Sequence, residues 1–320
     1  MPGIGWGWSC AVAGLGGALS LALGFGGQIA SAGPAVVFDT GTGEVLHAYM
    51  ATEPWYPASL TKMMTAYVVF RAIEEGRIGL DTTVTIPPNP AAPQPGARLE
   101  PGATFTVEEA MPLMLAASLN VMAEVLAITV SGSEADFVAE MNETAARLGM
   151  TDTTYANPHG WHDRRHVSSA RDLAALTTAI IRDFPQYQRF FAVASVRFGD
   201  KDLKNHNGLL GRFPGADGMK TGYHCEAGYN LVGSASRDGR RLVAIVLGAF
   251  SEAEREAVAE RFLGAGFAQR AGAPTLSLDT LPEPARSAPV DMRPYVCGKE
   301  KPPPEFASFG TMAPLPRAKP

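Results

Sequence analysis

Strand-like runs stand at both ends of the apolar part of this chain and helix-like runs fill its middle, an order that leaves few folds open. Ala35–Asp39 and Glu44–Tyr49 are apolar and β-branched, with Thr40-Gly41-Thr42-Gly43 as the turn between them. Met219–His224, Tyr229–Ser236 and Arg241–Phe250 form a second set, the last two joined by the hairpin signal Asp238-Gly239. Between the sets, periodicity predicts a helix over Leu60–Glu75, closed by Gly76. Thr106-Val107-Glu108-Glu109 is a capping box opening a helix through Leu115, and a further helix is expected over Met122–Val130. Caps at Ser133 and Ser169 start helices running to Gly149 and about Asp183, and Ser251-Glu252-Ala253-Glu254 caps a last one to about Gln269. The expected class is α+β: one antiparallel sheet flanked by helices, with a helical subdomain and the first and last strands as neighbours.

Size and charge bound the function. With 320 residues, 46% of them hydrophobic, the chain can bury a large core. A net charge of -5 offers no basic field, so nucleic acid is not an expected partner. Residues 1–32 carry no charged side chain and end Ala30-Ser31-Ala32, which reads as a secretory signal cleaved after Ala32. Export to the periplasm or cell envelope is therefore expected. It permits a disulfide between Cys225 and Cys297 without demanding one. Eleven prolines fall among the last 48 residues, so 271–320 is expected to be a proline-rich tail following a domain over 33–270. Such a tail gives no support for membrane attachment.

Pro57-Ala58-Ser59-Leu60-Thr61-Lys62 delivers a serine to a helix start. Three residues on, Lys62 shares its face, which sets an amine beside a hydroxyl close to free backbone N–H groups. Those are the parts of an activated nucleophile. Ser-x-x-Lys at a helix start is also ordinary capping, so its weight depends on partners downstream. Ser118-Leu119-Asn120 lies at a helix break, and Lys220-Thr221-Gly222 on an expected strand, where a glycine admits another backbone or a ligand. Ser-x-x-Lys, Ser-x-Asn and Lys-Thr-Gly, in this order on helix, loop and strand, form the trio of penicillin-binding proteins and class A β-lactamases.

Over roughly Gly33 to Gln269 the chain resembles the D-alanyl-D-alanine carboxypeptidases, the low-molecular-mass penicillin-binding proteins of peptidase family S11. The resemblance rests on Pro57 through Tyr67, Asn157-Pro158-His159-Gly160, Asn205 through Leu210, Gly218 through Tyr223 and Glu226 through Val232. It implies that Ser59 attacks the carbonyl between two D-alanines of a peptidoglycan stem peptide, with Lys62 as base and Ser118 relaying a proton to the leaving amine. It implies that Asn120 holds the substrate and that Lys220 and Thr221 recognise its carboxylate. Gly222 completes that strand motif, and the backbone N–H of Tyr223 joins that of Ser59 in an oxyanion hole. No cofactor or metal is implied, and β-lactam antibiotics are the expected covalent inhibitors. Leu119 and Val121 depart from the family, which often has a small and an acidic residue there.

Other readings use the same residues. A class A β-lactamase would add Glu-x-x-x-Asn between the second and third motifs, a spacing absent between Asn120 and Lys220. An endopeptidase cutting D-alanyl cross-links shares all the motifs. A non-catalytic peptidoglycan-binding protein would not need them intact. His159, His162 and His166, with Asp163 among them, match no strong zinc template, and His159 is expected to be structural. Cys225 is expected to be a buried strand residue. Trp55, Tyr56 and Trp161 are expected in the core or at a rim.

Overall fold

A computed structural model describes residues 33–90, 99–269, 276–282, 284 and 288–302. The first 32 residues and most of the proline-rich loop between Pro87 and Pro101 lie outside the described residues. The chain begins with β1 (Ala35–Asp39), buried throughout, and β2 (Val45–Tyr49). A one-turn 3-10 helix over Ala58–Thr61 leads into α1 (Lys62–Glu74). Two three-residue strands, β3 (Thr83–Thr85) and β4 (Thr104–Thr106), pair across the proline-rich loop. Then come α2 (Val107–Leu115), α3 (Asn120–Ser131), α4 (Glu134–Arg147) and α5 (Ala170–Asp183). After a 3-10 stretch over Pro185–Phe191, β5 (Ser195–Phe198) and β6 (Lys201–Lys204) make a small hairpin. The chain returns through β7 (Ala216–His224), β8 (Gly228–Arg237) and β9 (Arg240–Ala249) to α6 (Glu252–Ala268) and the short α7 (Arg293–Val296).

The sheet order is β2-β1-β9-β8-β7, antiparallel throughout, so the first strand pairs with the last as expected. Side chains on a strand alternate between faces, and this sheet uses both. Ala35, Val37, Leu242, Ala244 and Val246 join Val258, Ala259, Phe262 and Leu263 of α6 in one core. Val36, Phe38, Val243, Ile245 and Leu247 join the helical region in the other. The strands therefore read as near-continuous apolar runs.

The helix caps are those the sequence announces. Thr106 and Glu109 form the reciprocal capping box, and Ser133, Ser169 and Ser251 each accept the backbone N–H three residues on. One expectation changes: α1 has no single apolar side. Ten of its residues are buried, Lys62 among them. Helices α2 to α5 surround it, and Phe70 packs among Phe184, Tyr187, Phe190 and Phe191.

The segment expected to be a free tail is docked over its described part. Val45 donates its N–H to Leu276, Thr52 its hydroxyl to Pro282, and Met292 its N–H to Glu226. Leu281 and Met292 are buried, and Cys225 and Cys297 form a disulfide. Docking through a few isolated anchors leaves no periodic signature. The disulfide links residues 72 apart, so replacing Cys297 with Ser should lower the unfolding free energy by about 2–4 kcal/mol. Urea titration of the oxidised protein and the variant measures this, and equal midpoints would show that the bond adds nothing.

Candidate active site

Ser59 sits in the 3-10 turn at the head of α1, after Ala58 at φ +50°. A non-glycine residue in the left-handed region is strained, and packing must hold it there. Gly160 does so: a Cβ on it would lie 1.9 Å from the Ala58 carbonyl oxygen. Asn230 of β8 donates to the Tyr56 and Pro57 carbonyls and accepts the Gly248 N–H, tying the approach to Ser59 to two strands.

Lys62 Nζ is the hub. It lies 2.9 Å from Ser59 Oγ, 2.7 Å from Asn120 Oδ1 and 2.7 Å from the His159 carbonyl oxygen. Its side chain is fully buried. Burial, and then the nearby charge of Lys220, hold its pKa well below the ordinary lysine value. A neutral amine has two N–H groups and one lone pair. Asn120 Oδ1 and the His159 carbonyl can only accept, so they take the two N–H groups and turn the lone pair toward Ser59 Oγ.

The second motif is set by another left-handed residue, Ser118, at φ +60°. Leu119 and Val121 are both buried, so core packing helps fix the loop. Lys220 Nζ lies 3.1 Å from Ser118 Oγ and 3.0 Å from the Thr221 carbonyl oxygen. Burial, with a smaller contribution from Arg255, brings its pKa down to about 7.

Gly222 serves close approach, as the motif suggests. A Cβ there would come within 2.8 Å of the Pro57 carbonyl oxygen and 3.1 Å of the Ser59 nitrogen. Strand β7 thus runs hard against the turn that carries the serine. Ser59, Ser118, Asn120, Thr221, Gly222 and Tyr223 line one cleft of about 740 Å³. Lys62 and Lys220 stand behind its wall, bonded to the two serines.

Trp55 is a core residue, its indole N–H bonded to the Ala227 carbonyl, whereas Trp161 is exposed at the cleft. Two of the three clustered histidines have hydrogen-bond partners of their own. His166 accepts the Ala156 N–H at Nδ1, which leaves Nε2–H to donate to Thr61 Oγ1, 2.8 Å away. Thr61 in turn donates to the Ala58 carbonyl. His159 accepts the Trp161 N–H. Burial first, aided by nearby cations, lowers both pKa values to about 3, so both rings are neutral.

Sequence reasoning missed Arg255, on the first turns of α6. Its guanidinium bonds the His206 carbonyl, Glu252 and Glu256, and the residue lines the cleft facing Thr221 and Tyr223. The Ser251 cap located this helix end. No local signal announces the place of Arg255 at the cleft, because β9, the strand before this helix, lies in the middle of the sheet.

Two outcomes test this geometry. Gly222→Ala should push β7 from the Ser59 turn and slow acylation of Ser59 by about 10²-fold or more, read with a fluorescent penicillin. An unchanged rate would mean that close approach is not needed. Lys220 has a folded-state pKa of about 7 against an ordinary 10.5. Between these values the unfolded chain binds the proton more readily, so stability rises with pH and is lost as pH falls through that window. Lys220→Met should flatten the dependence by about 1.4 kcal/mol per pH unit in urea denaturation across the window.

The comparisons with known proteins agree with this arrangement. A profile of the D-alanyl-D-alanine carboxypeptidases (peptidase family S11) matches residues 27–251. D-alanyl-D-alanine carboxypeptidase DacF of Bacillus subtilis is 34% identical over 242 residues, covering 73% of this chain and 62% of its own. The chain thus spans about three-fifths of the curated relatives it matches. The crystal structure of penicillin binding protein 5 from Haemophilus influenzae superposes with a TM-score of 0.71 at 34% identity, over 75% of this chain and 71% of that one. Penicillin-binding protein D2 from Listeria monocytogenes, in its ampicillin-bound form, superposes at 0.66 with 31% identity, over 75% and 97% of the two chains. This chain belongs to the D-alanyl-D-alanine carboxypeptidase family.

Proposed function

We propose that the protein is a serine D-alanyl-D-alanine carboxypeptidase acting on peptidoglycan stem pentapeptides. The observation that carries this is the buried Lys62 amine, 2.9 Å from Ser59 Oγ and held from behind by two acceptors. Ser59 Oγ attacks the carbonyl of the terminal peptide bond as its proton passes to Lys62 Nζ. The backbone N–H groups of Ser59 and Tyr223 receive the developing oxyanion. Ser118 gives its hydroxyl proton to the leaving nitrogen as it takes one from Lys220 Nζ, and D-alanine departs. Water then attacks the acyl-enzyme and Ser59 is regenerated: the proton of the attacking water returns along the same line to Lys220 while Lys62 gives its own back to Ser59. Thr221 and Arg255, lining one cleft, are suited to the substrate carboxylate, and Asn120 to both the peptide and the lysine.

A β-lactam presents the same carboxylate and a strained amide to Ser59, so it acylates the enzyme and stays. The ampicillin-bound relative supports this reading. The Cys225–Cys297 disulfide favours an oxidising compartment, which supports export to the periplasm or cell envelope. Among the described residues no helix is long and apolar enough to cross a membrane.

The test is D-alanine release from an uncross-linked pentapeptide muropeptide by the protein and by Ser59→Ala. Release by the first and none by the second is expected. Cleavage of cross-linked dimers alone would replace the carboxypeptidase reading with an endopeptidase, and release by the Ser59→Ala protein would remove Ser59 from the mechanism.

A further inference from the structure

At the outer end of β7, beyond the catalytic groups, three side chains converge that the reaction above does not use. We propose that His162, His224 and Glu226 form a binding site for a zinc-like divalent cation at the rim of the cleft. Their ligand atoms lie within 4.8 Å of one another. His162 follows Trp161 in the loop that crosses α1, His224 ends β7, and Glu226 lies in the turn to β8. Two imidazoles and one carboxylate are the donor set of three-ligand zinc sites, with a fourth position left to water.

The state of His162 points to a ligand. Its Nδ1 is buried and has no hydrogen-bond partner among the described residues. Its Nε2 is 3.9 Å from Glu226 Oε1, too long for a hydrogen bond. The ring thus packs in polar company, centroid 5.3 Å from that of His224, with its lone pair unclaimed. A tetrahedral zinc ion holds neighbouring nitrogens roughly 3.3 Å apart, given Zn–N distances of about 2.0–2.1 Å. The widest side of the cluster must therefore tighten by up to about 1.5 Å, while His224 Nδ1 and Glu226 Oε2 are already 3.2 Å apart; side-chain rotation can do this because His162 is partly exposed.

Charge around the cluster is mixed. The Asp291 carboxylate acts on both imidazoles and favours a cation, while Arg164 acts against one at His162. The Arg293 guanidinium occupies Glu226 Oε1, and its side chain is 57% exposed, so it can yield to a metal and swing into water. His224 Nδ1 accepts the Ala227 N–H at 3.2 Å, a long bond that ligation would replace. Arg293 is then a resident competitor for the site. A bound cation would tie the loop bearing His159 and Gly160 to the strand end bearing Tyr223, joining two walls of the cleft away from Ser59.

The experiment is calorimetric titration of the full chain carrying C10S with zinc chloride, with the Cys225–Cys297 bond intact so that no thiol takes the metal. Cobalt absorption gives the coordination number independently. One ion per chain is expected, bound at least about tenfold more weakly by H162A and E226Q. R293A, freed of its competitor, should bind more tightly. Thermal melting confirms that each variant is folded, and partly exposed His162 supplies a variant that leaves the core untouched. No saturable binding by the native protein, or equal affinity in H162A, would overturn the site. Weaker binding by R293A would remove Glu226 as a ligand.

Discussion

A lysine amine in a sealed interior is the constraint on which the rest of this molecule depends. Burying an ammonium is costly unless it is neutral or partnered. Lys62 is held by a side-chain oxygen, a backbone oxygen and Ser59, with a second lysine nearby. Each partner comes from a different part of the fold: Asn120 from the start of α3, His159 from the loop before α5, and Lys220 from β7. The charge state of one nitrogen is therefore set by the docking of the helical region on the sheet.

That docking is steric as well as polar. One left-handed residue, Ala58, immediately precedes Ser59 and another is Ser118 itself, and Gly160 and Gly222 occur where backbones touch the Ser59 turn. Strain at Ala58 is held in place by those contacts. The sheet supplies rigidity, because β8 and β9 are buried over most of their length and Asn230 carries that order to Pro57.

The sequence was legible where local chemistry decides. Serine and threonine caps, the Asp238-Gly239 turn and the unbroken apolar runs of β1 and β9 each placed an element within a residue or two. The three motifs named the site because their residue types are rare together in that order, and Gly222 announced a close approach that the structure contains. Long-range features were not legible. The β5–β6 hairpin is short, and its inward side chains are only half-buried, so its pattern is weak. The partner of Cys225, the docking of residues 276–282 and 288–302 and the place of Arg255 in the cleft lining depend on contacts between distant segments. No spacing encodes them. The left-handed turn at Ser118 was hidden as well, since serine carries no signal for it.

The pairing of β1 with β9 has a consequence for how the molecule is made. Ala35 lies opposite Val246, so a strand formed among the first residues of the domain finds its inner neighbour only after more than 200 others have been added. Until then the nascent β1–β2 pair lacks the strand that completes it, and the apolar faces of both cores stay open. Such a chain cannot fold segment by segment as it leaves the ribosome. Native contacts across so long a separation are rewarded late, so folding is slow and the apolar strand faces are open to aggregation until β9 arrives.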